Sequence, residues 1–323
     1  MPCTFSSVLN PPLGLVNKIA GLTPENPFYT PEYLEVRKRL GAEGCALALD
    51  SNDGLVRGCL AFLTRGKLNS RLEITSLPVL EDQEIFWDGV FRFCREQNIS
   101  VVSAYTFASA EAAITFAEKR TSHKMRSEYR LDLTQPDLWK VMNRRSHRLI
   151  KTARSAGLTI RRSNDHNARE IHVSLANLSL DRRRGHGNSI DYSIEMEDVN
   201  AFINCGAGEL VQVIRGDEVH ATMLIARSRT GAYAQSSGTS TDGREMGASH
   251  FLFYETACFL KAESVTVFNL GGADEHSKGL QEFKLGLGSK RIQLESAEFF
   301  TGGALKRIVT GAVSLVKGGA MPI

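Results

Sequence analysis

The sequence predicts an α+β protein of two domains, each a mostly antiparallel mixed sheet flanked by helices. Three observations lead there. The chain has 323 residues, and at roughly 150 residues per domain that length suits two domains. Its 42 % hydrophobic and 23 % charged residues are the proportions of a globular protein, which excludes disordered and fibrous chains. Read from end to end, helices, antiparallel strands, a helix, a strand, a helix and a strand follow one another twice, so the second half repeats the element order of the first.

The stretch to about Asn26 is rich in proline, glycine and small residues and reads as an arm or loop. Thr30 and Pro31 suit the N-cap and first position of a helix that runs to about Leu40. Cys45–Leu49, Leu55–Leu63 and Leu72–Leu77 read as strands, the first two joined by the turn signal Ser51-Asn52-Asp53-Gly54. A helix over Gln83–Gln97, a strand over Ile99–Tyr105, a helix over Ala108–Lys119 and a strand over Ser127–Leu133 complete the first half. A long helix from Pro136 to Ala156 follows, and Gly157 ends it. Leu158–Arg162 reads as a strand, and His166–Leu180 and Met196–Ile203 as helices on either side of a polar loop. Strands are expected at Glu209–Ile214, Glu218–Ala226 and Gly231–Ser236, then a helix at Gly247–Lys261, a strand at Ser264–Phe268, a helix at Lys278–Leu285 and a last strand at Arg291–Glu298. Ala304–Lys317 places Leu305, Ile308, Val309, Ala312, Val313 and Val316 on one helical face, suited to docking on the protein's own body or to weak contact with a membrane surface. The expected layout is an N-terminal arm (1–27), a first domain (28–135), a second domain carrying the chemistry (136–302) and a C-terminal amphipathic helix (303–323).

No run of 18 apolar residues is present, so no transmembrane helix is expected. The N-terminus lacks the basic start and apolar stretch of a secretory signal, and a cytoplasmic location is expected. None of the six cysteines forms a Cys-x-x-Cys pair, and no His-x-x-x-His or Glu-x-x-His pair is present, so no metal site is expected. A net charge of +3 implies no nucleic-acid partner by itself. Between Gln135 and Asp165, however, Lys140, Arg144, Arg145, Arg148, Lys151, Arg154, Arg161 and Arg162 face only Asp137 and Asp165, a local charge of +6. Arg144/Arg148 and Arg148/Lys151 place like charges side by side on a helix, which costs roughly 0.2–0.5 kcal/mol per pair. The cluster is either a solvated face or a site for phosphates.

In Arg244-Glu245-Met246-Gly247-Ala248-Ser249 a glycine opens a helix, leaving outward backbone N–H groups that suit a phosphate; the alternative is a plain strand-to-helix turn. This segment resembles the acyl-CoA loop of the GNAT acyltransferase superfamily, Arg/Gln-x-x-Gly-x-Gly/Ala, with Ser249 in the last position. Val267-Phe268-Asn269-Leu270-Gly271-Gly272, followed by Gly279-Leu280-Gln281-Glu282-Phe283-Lys284-Leu285-Gly286-Leu287-Gly288, resembles the C-terminal signature of the Fem-type aminoacyltransferases. In that family a strand ends in a Gly-Gly turn and a helix carries Phe-Lys before a glycine-rich turn. The basic helix Asn143–Ala156 ending in Ala-Gly-Leu is similar to theirs as well. The resemblance is good over residues 136–300 and rests on element order alone over 28–134.

That resemblance implies tandem GNAT-like domains that transfer an acyl group to an amine. It implies that Lys284 stabilises the oxyanion of the tetrahedral intermediate, with Phe283 walling the site; the alternative is a surface lysine on an amphipathic helix. The donor-binding candidates are Arg144, Arg145, Arg148, Lys151, Arg244, Gly247 and Ser249. The acceptor-binding candidates are Arg184, Tyr233, Asp274 and Glu275. His220, His250 and Tyr254 are candidates for proton transfer, with core packing as the alternative. No cofactor is expected to be held permanently; the donor cosubstrate is aminoacyl-tRNA or an acyl-CoA thioester, and the acceptor a small-molecule amine or amino sugar. The polyanionic tRNA suits the +6 segment better. A non-catalytic protein binding RNA or a membrane surface is the reading from another class.

Overall fold

The computed structural model describes residues 3–51, 54–66, 69–185, 187, 190–274 and 276–302. The chain runs β1 (Thr4–Leu9), α1 (Leu13–Leu22), α2 (Pro31–Arg39), β2 (Glu43–Ser51), β3 (Gly54–Arg65), β4 (Ser70–Ile74), α3 (Gln83–Glu96), β5 (Val101–Tyr105) and β6 (Arg120–Asp132). It continues through α4 (Leu138–Val141), α5 (Arg144–Ser155), β7 (Thr159–Arg162), α6 (His166–Gly185), α7 (Met196–Asn204), β8 (Gly208–Arg215), β9 (Glu218–Arg227) and β10 (Gly231–Thr239). The last elements are α8 (Thr241–Glu245), α9 (Ala248–Ala262), β11 (Val267–Ala273), α10 (Lys278–Gly286) and β12 (Lys290–Phe300). The expected C-terminal amphipathic helix lies outside the described residues.

The chain forms two compact units, one running to Arg126 and resuming at Ile292, the other Ser127–Arg291. In the first the strand order is β1-β2-β3-β4-β5-β12, and in the second β7-β8-β9-β10-β11-β6. Each is antiparallel except for one parallel pair, β4 with β5 and β10 with β11. The expected α+β class with mostly antiparallel mixed sheets is what the structure has, and the repeat of elements extends to strand order. The sequence analysis places the domain boundaries at 136 and 302; the units divide at Ser127 and after Arg291, because β12 pairs with β5 through Ser296↔Tyr105 to Phe300↔Val101.

Four expectations are corrected. The N-terminal arm contains β1, fully paired with β2, and α1, whose Val16 and Ile19 are buried. No helix covers 108–119; that stretch is irregular, with Ala108, Glu111 and Lys119 at positive φ. Its N–H groups are taken up elsewhere: Ile114 donates to the Glu295 carboxylate (2.9 Å), and Thr115 and Phe116 donate to the Gln83 side chain (3.1 and 3.2 Å). The single helix expected from Pro136 to Ala156 is two, because Met142 is extended and Asn143 caps α5 by accepting the Ser146 N–H at 2.9 Å. Gly271-Gly272 lies inside β11 rather than in a turn after it: the strand shifts register between Asn269 and Gly272, and Gly271 takes φ +76°.

In the second unit the sheet separates two environments. Val211, Val213, Ala221, Met223 and Ile225 share a core with Ile150 and Ala153 of α5 and Phe251 and Leu252 of α9. Alternation along β9 turns His220, Thr222 and Leu224 to the opposite face. There α6 crosses β10 so closely that a Cβ at Gly238 would stand 2.1 Å from the Leu175 carbonyl carbon. His172 of α6 is fully buried on this face, its Nδ1 3.1 Å from Thr222 Oγ1 and its Nε2 2.8 Å from Ser236 Oγ.

Burial pushes the His172 imidazole down to about 3. The folded state therefore refuses a proton that the unfolded chain accepts below about pH 6.5. Stability from this residue is full above that pH and falls as pH drops towards 3. Urea midpoints measured from pH 7 to pH 4 are expected to decline, and to decline less steeply in His172→Gln.

Candidate functional site

The site grows from the parallel pair in the second unit. β10 and β11 are paired at Gly231↔Val267, Ala232↔Phe268 and Tyr233↔Asn269, and then stop sharing a ladder, although β10 continues to Thr239 and β11 to Ala273. Beyond that point β10 has a register shift between Ala234 and Ser236 against β9. The two strands thus part beyond Tyr233 and Asn269. Asn269 fixes the start of the opening: it is buried, and its Oδ1 accepts the Gly271 N–H at 2.9 Å. In the first unit the corresponding pair stays closed. Beyond Ile74↔Ala104 the Leu77 N–H reaches the Tyr105 carbonyl (2.7 Å), Ser76 Oγ donates to the Phe107 carbonyl (2.5 Å), and Ser76 and Thr106 form a bridge. Its helix α3 also starts on an anion of its own, the Asp82 carboxylate, which accepts from Glu84 and Ile85.

Lys284 stands at the opening. It is only 5 % exposed, unusual for lysine, and its Nζ donates to the Gly272 carbonyl at 2.7 Å. The ammonium also lies 5.6 Å from the centroid of the buried Tyr129 ring. A Cβ at Gly271 would stand 3.7 Å from Nζ and 3.2 Å from the Ala234 carbonyl on the other rim. Phe283 meets His250 and Phe253 edge-on at 4.7 and 5.3 Å and walls this end of α9.

The glycine-rich turn after Phe-Lys fits α10 against the basic helix. The Gly286 carbonyl accepts from Asn143 N (3.0 Å) and Ser146 Oγ (2.8 Å), and a Cβ at Gly286 would press on both side chains. Gly288, at φ +88°, sits against Val141. With α5 docked this way, Arg144, Arg145, Arg148 and Lys151 are exposed, and no carboxylate lies within 4.0 Å of them among the described residues. Arg145 is near enough to His250 to add to the burial that lowers that imidazole to about 4, so His250 is neutral at pH 7. Arg154 serves structure instead, pairing with Glu255 at 2.9 Å and lying over Trp139 and Tyr254.

Gly247, at φ +77°, is the N-cap of α9 and has no side chain to satisfy the first N–H groups. Ser249 in that first turn shares a 2.8 Å hydrogen bond with Thr239, the last residue of β10. Arg244 is exposed on α8. Arg182 opens the Arg182–Asn188 stretch, which the sequence offers as a polar loop able to bind a carboxylate or phosphate; its guanidinium donates to the Thr239 carbonyl (2.8 Å) and Ser179 Oγ (2.7 Å). Burial, then Arg244 and Arg183, lower its pKa. Two arginines separated by 62 positions in sequence thus converge on the loop.

The acceptor candidates are scattered. Tyr233 is buried at the start of the opening, opposite Asn269. Asp274 is exposed just past β11, and Glu275 lies outside the described residues. Arg184 is spent on its own loop, donating to Asp181 (2.6 Å) and to the Ile190 (2.9 Å) and Tyr192 carbonyls. His220 is fully buried, with no hydrogen bond at either ring nitrogen. Tyr254 packs edge-on to Trp139, and burial pushes its hydroxyl up to about 12. Among the described residues no cluster of three metal-ligating side chains is found.

Residues 140–284 match the family model described as an acetyltransferase (GNAT) domain. The chain carries a GNAT acyltransferase domain. That match supports an acyltransferase. The crystal structure of FemX is similar over 90 % of this chain and 96 % of its own, with a TM-score of 0.66 at 11 % identity. A tandem GNAT protein from the clavulanic acid biosynthesis pathway, solved without AcCoA, aligns over 94 % of this chain and 100 % of its own, with a TM-score of 0.56 at 11 % identity. L-PGS from Bacillus licheniformis aligns over 96 % and 98 %, with a TM-score of 0.54 at 15 % identity. These likenesses are of fold. No curated protein matches the chain. No helix among the described residues is long and apolar enough to cross a membrane.

The Gly247 turn has a second constraint that makes it testable apart from activity. A Cβ there would stand 2.4 Å from the Leu149 carbonyl oxygen of α5, and the φ disfavours any other residue. Gly247→Ala is expected to lower stability by roughly 1–3 kcal/mol, measured by denaturant unfolding.

Proposed function

We propose that the protein forms an amide bond, transferring an aminoacyl group from aminoacyl-tRNA to a small amine. The observation that carries this reading is the face of α5. Arg144, Arg145, Arg148 and Lys151 form an exposed cationic row whose helix is bonded directly to the end of α10, the helix of Lys284. Such a row suits a backbone of phosphates and makes binding fall steeply with salt. In the reaction the amine attacks the acyl carbonyl at the opening between β10 and β11. Negative charge develops on the carbonyl oxygen, and the Lys284 ammonium, held in a buried setting, stabilises it without reorganising. In this reading Tyr233, buried at the start of the opening, and Asp274, exposed just past β11, are the residues that meet the amine.

A second reading rests on a separate observation. Arg182, Arg244 and the uncapped first turn of α9 suit the pyrophosphate of coenzyme A. The donor in that case is acyl-CoA and the acceptor a small amine or amino sugar.

Purified protein supplied with a charged tRNA pool and amine acceptors is expected to transfer label, and RNase is expected to abolish it. Transfer that survives RNase and requires acyl-CoA overturns the tRNA donor. Lys284→Ala is expected to lower kcat by roughly 100–1,000-fold and, by leaving the Gly272 carbonyl without its partner, to cost roughly 1–3 kcal/mol of stability. Arg148→Glu is expected to raise KM for the tRNA donor with little effect on an acyl-CoA.

A further inference from the structure

His172, Thr222 and Ser236 come from α6, β9 and β10, and nothing in the transfer described above uses them. Their geometry settles a direction. Thr222 is fully buried, and its Oγ1 has His172 Nδ1 as its hydrogen-bond partner among the described residues. If Nδ1 carried the proton, the imidazole would donate to Thr222 and the threonine hydroxyl hydrogen would be buried with no acceptor, at a cost of roughly 1–3 kcal/mol. The arrangement that satisfies every buried donor is the other one: Thr222 O–H donates to Nδ1, and Nε2–H donates to Ser236 Oγ at 2.8 Å. The Ser236 hydroxyl hydrogen is then left for a partner outside the trio.

Ser236 lies three residues past Tyr233, on the stretch of β10 that has left β11, directly after the register shift. It is half-buried, on the stretch of β10 past its last pairing with β11. Two further polar atoms along the same opening are buried without a hydrogen bond, Gln235 Oε1 on β10 and Asn269 Nδ2 on β11; Asn269 itself is only 3 % exposed. Buried polar groups of native proteins nearly always have partners, and a polar ligand in the opening would supply one for each of these atoms. A hydroxyl that accepts a hydrogen bond is a stronger donor in turn, because the chain of dipoles polarises it.

We propose that Ser236 donates a hydrogen bond to the carbonyl oxygen of the acyl group bound in the opening, with His172 and Thr222 as positioning residues that aim its hydroxyl. The proposal rests on the acyl-transfer reading but not on which donor brings the acyl group. No proton changes hands: the imidazole remains neutral, and the carbonyl oxygen gains a donor as its charge develops.

Two measurements test it. Long-range nitrogen–proton correlation spectra of protein labelled in histidine, assigned by His172→Gln, are expected to show His172 neutral with Nε2 protonated at pH 7. An Nδ1-protonated or cationic ring overturns the proposal. In steady-state assays with charged tRNA or acetyl-CoA, whichever supports turnover, Ser236→Ala is expected to lower kcat by roughly 100-fold with donor KM within twofold, and Ser236→Thr to restore most of it. Thr222→Val is expected to lower kcat by a smaller factor with KM unchanged. Parent activity in Ser236→Ala overturns the proposal while leaving the acyl-transfer reading standing. So does a loss that tracks melting temperature and is not rescued by threonine. A parent protein that transfers from neither donor removes the acyl-transfer reading and this proposal together.

Discussion

After Tyr233 and Asn269 the parallel strands β10 and β11 part, and each keeps its other neighbour: β10 stays on β9, β11 on β6. Sheets do not open midway without cause, because every parted N–H and C=O must find another partner or face a ligand. Here both strands carry a register shift at the point of parting, Gly271 adopts a backbone that other residues rarely take, and Lys284 bonds the Gly272 carbonyl. The remaining elements of the unit are arranged around this opening. α9 begins where β10 ends, α10 returns Lys284 to β11, and α5 is bonded to the end of α10. α6 closes the opposite face through His172.

The same constraint separates the two units, which are alike in strand order. The first keeps its parallel pair bridged past Ile74 and Ala104 and fills the start of α3 with the carboxylate of Asp82. An anionic donor meets an aspartate there instead of a glycine turn, which is unfavourable electrostatically as well as sterically. In the second unit the equivalent helix starts at Gly247, with Arg244 and Arg182 beside it. Two units of one strand order thus differ in whether parted strands and a positive helix end coincide.

Much of this was legible in the sequence because it depends on local signals. Strand alternation, turn residues and caps placed most elements, and glycines at 247, 271, 286 and 288 with Phe283-Lys284 marked the ends that meet. What was missed depends on distant partners. The 108–119 stretch has helical composition, but Glu295 and Gln83, far away in sequence, bind its backbone in an irregular path. Asn143 reads as an ordinary residue inside a long basic helix until its cap to Ser146 is seen. Arg182 and Arg184 are two positions apart, and only the fold shows that Arg184 ties up its own loop while Arg182 reaches Thr239. Ser236 and His172 carry no motif; their pairing follows from α6 crossing β10 at Gly238.

The central claim is that the gap between β10 and β11 receives the donor's reactive end. Amide hydrogen exchange with and without donor tests it most directly, using coenzyme A and deacylated tRNA as separate additions. The account predicts new protection in residues 234–239 of β10, 270–273 of β11 and the first turn of α9 with one of the two, and none in β4, β5 or the start of α3. Protection confined to the first unit, or absent from both rims of the gap with either addition, would contradict it.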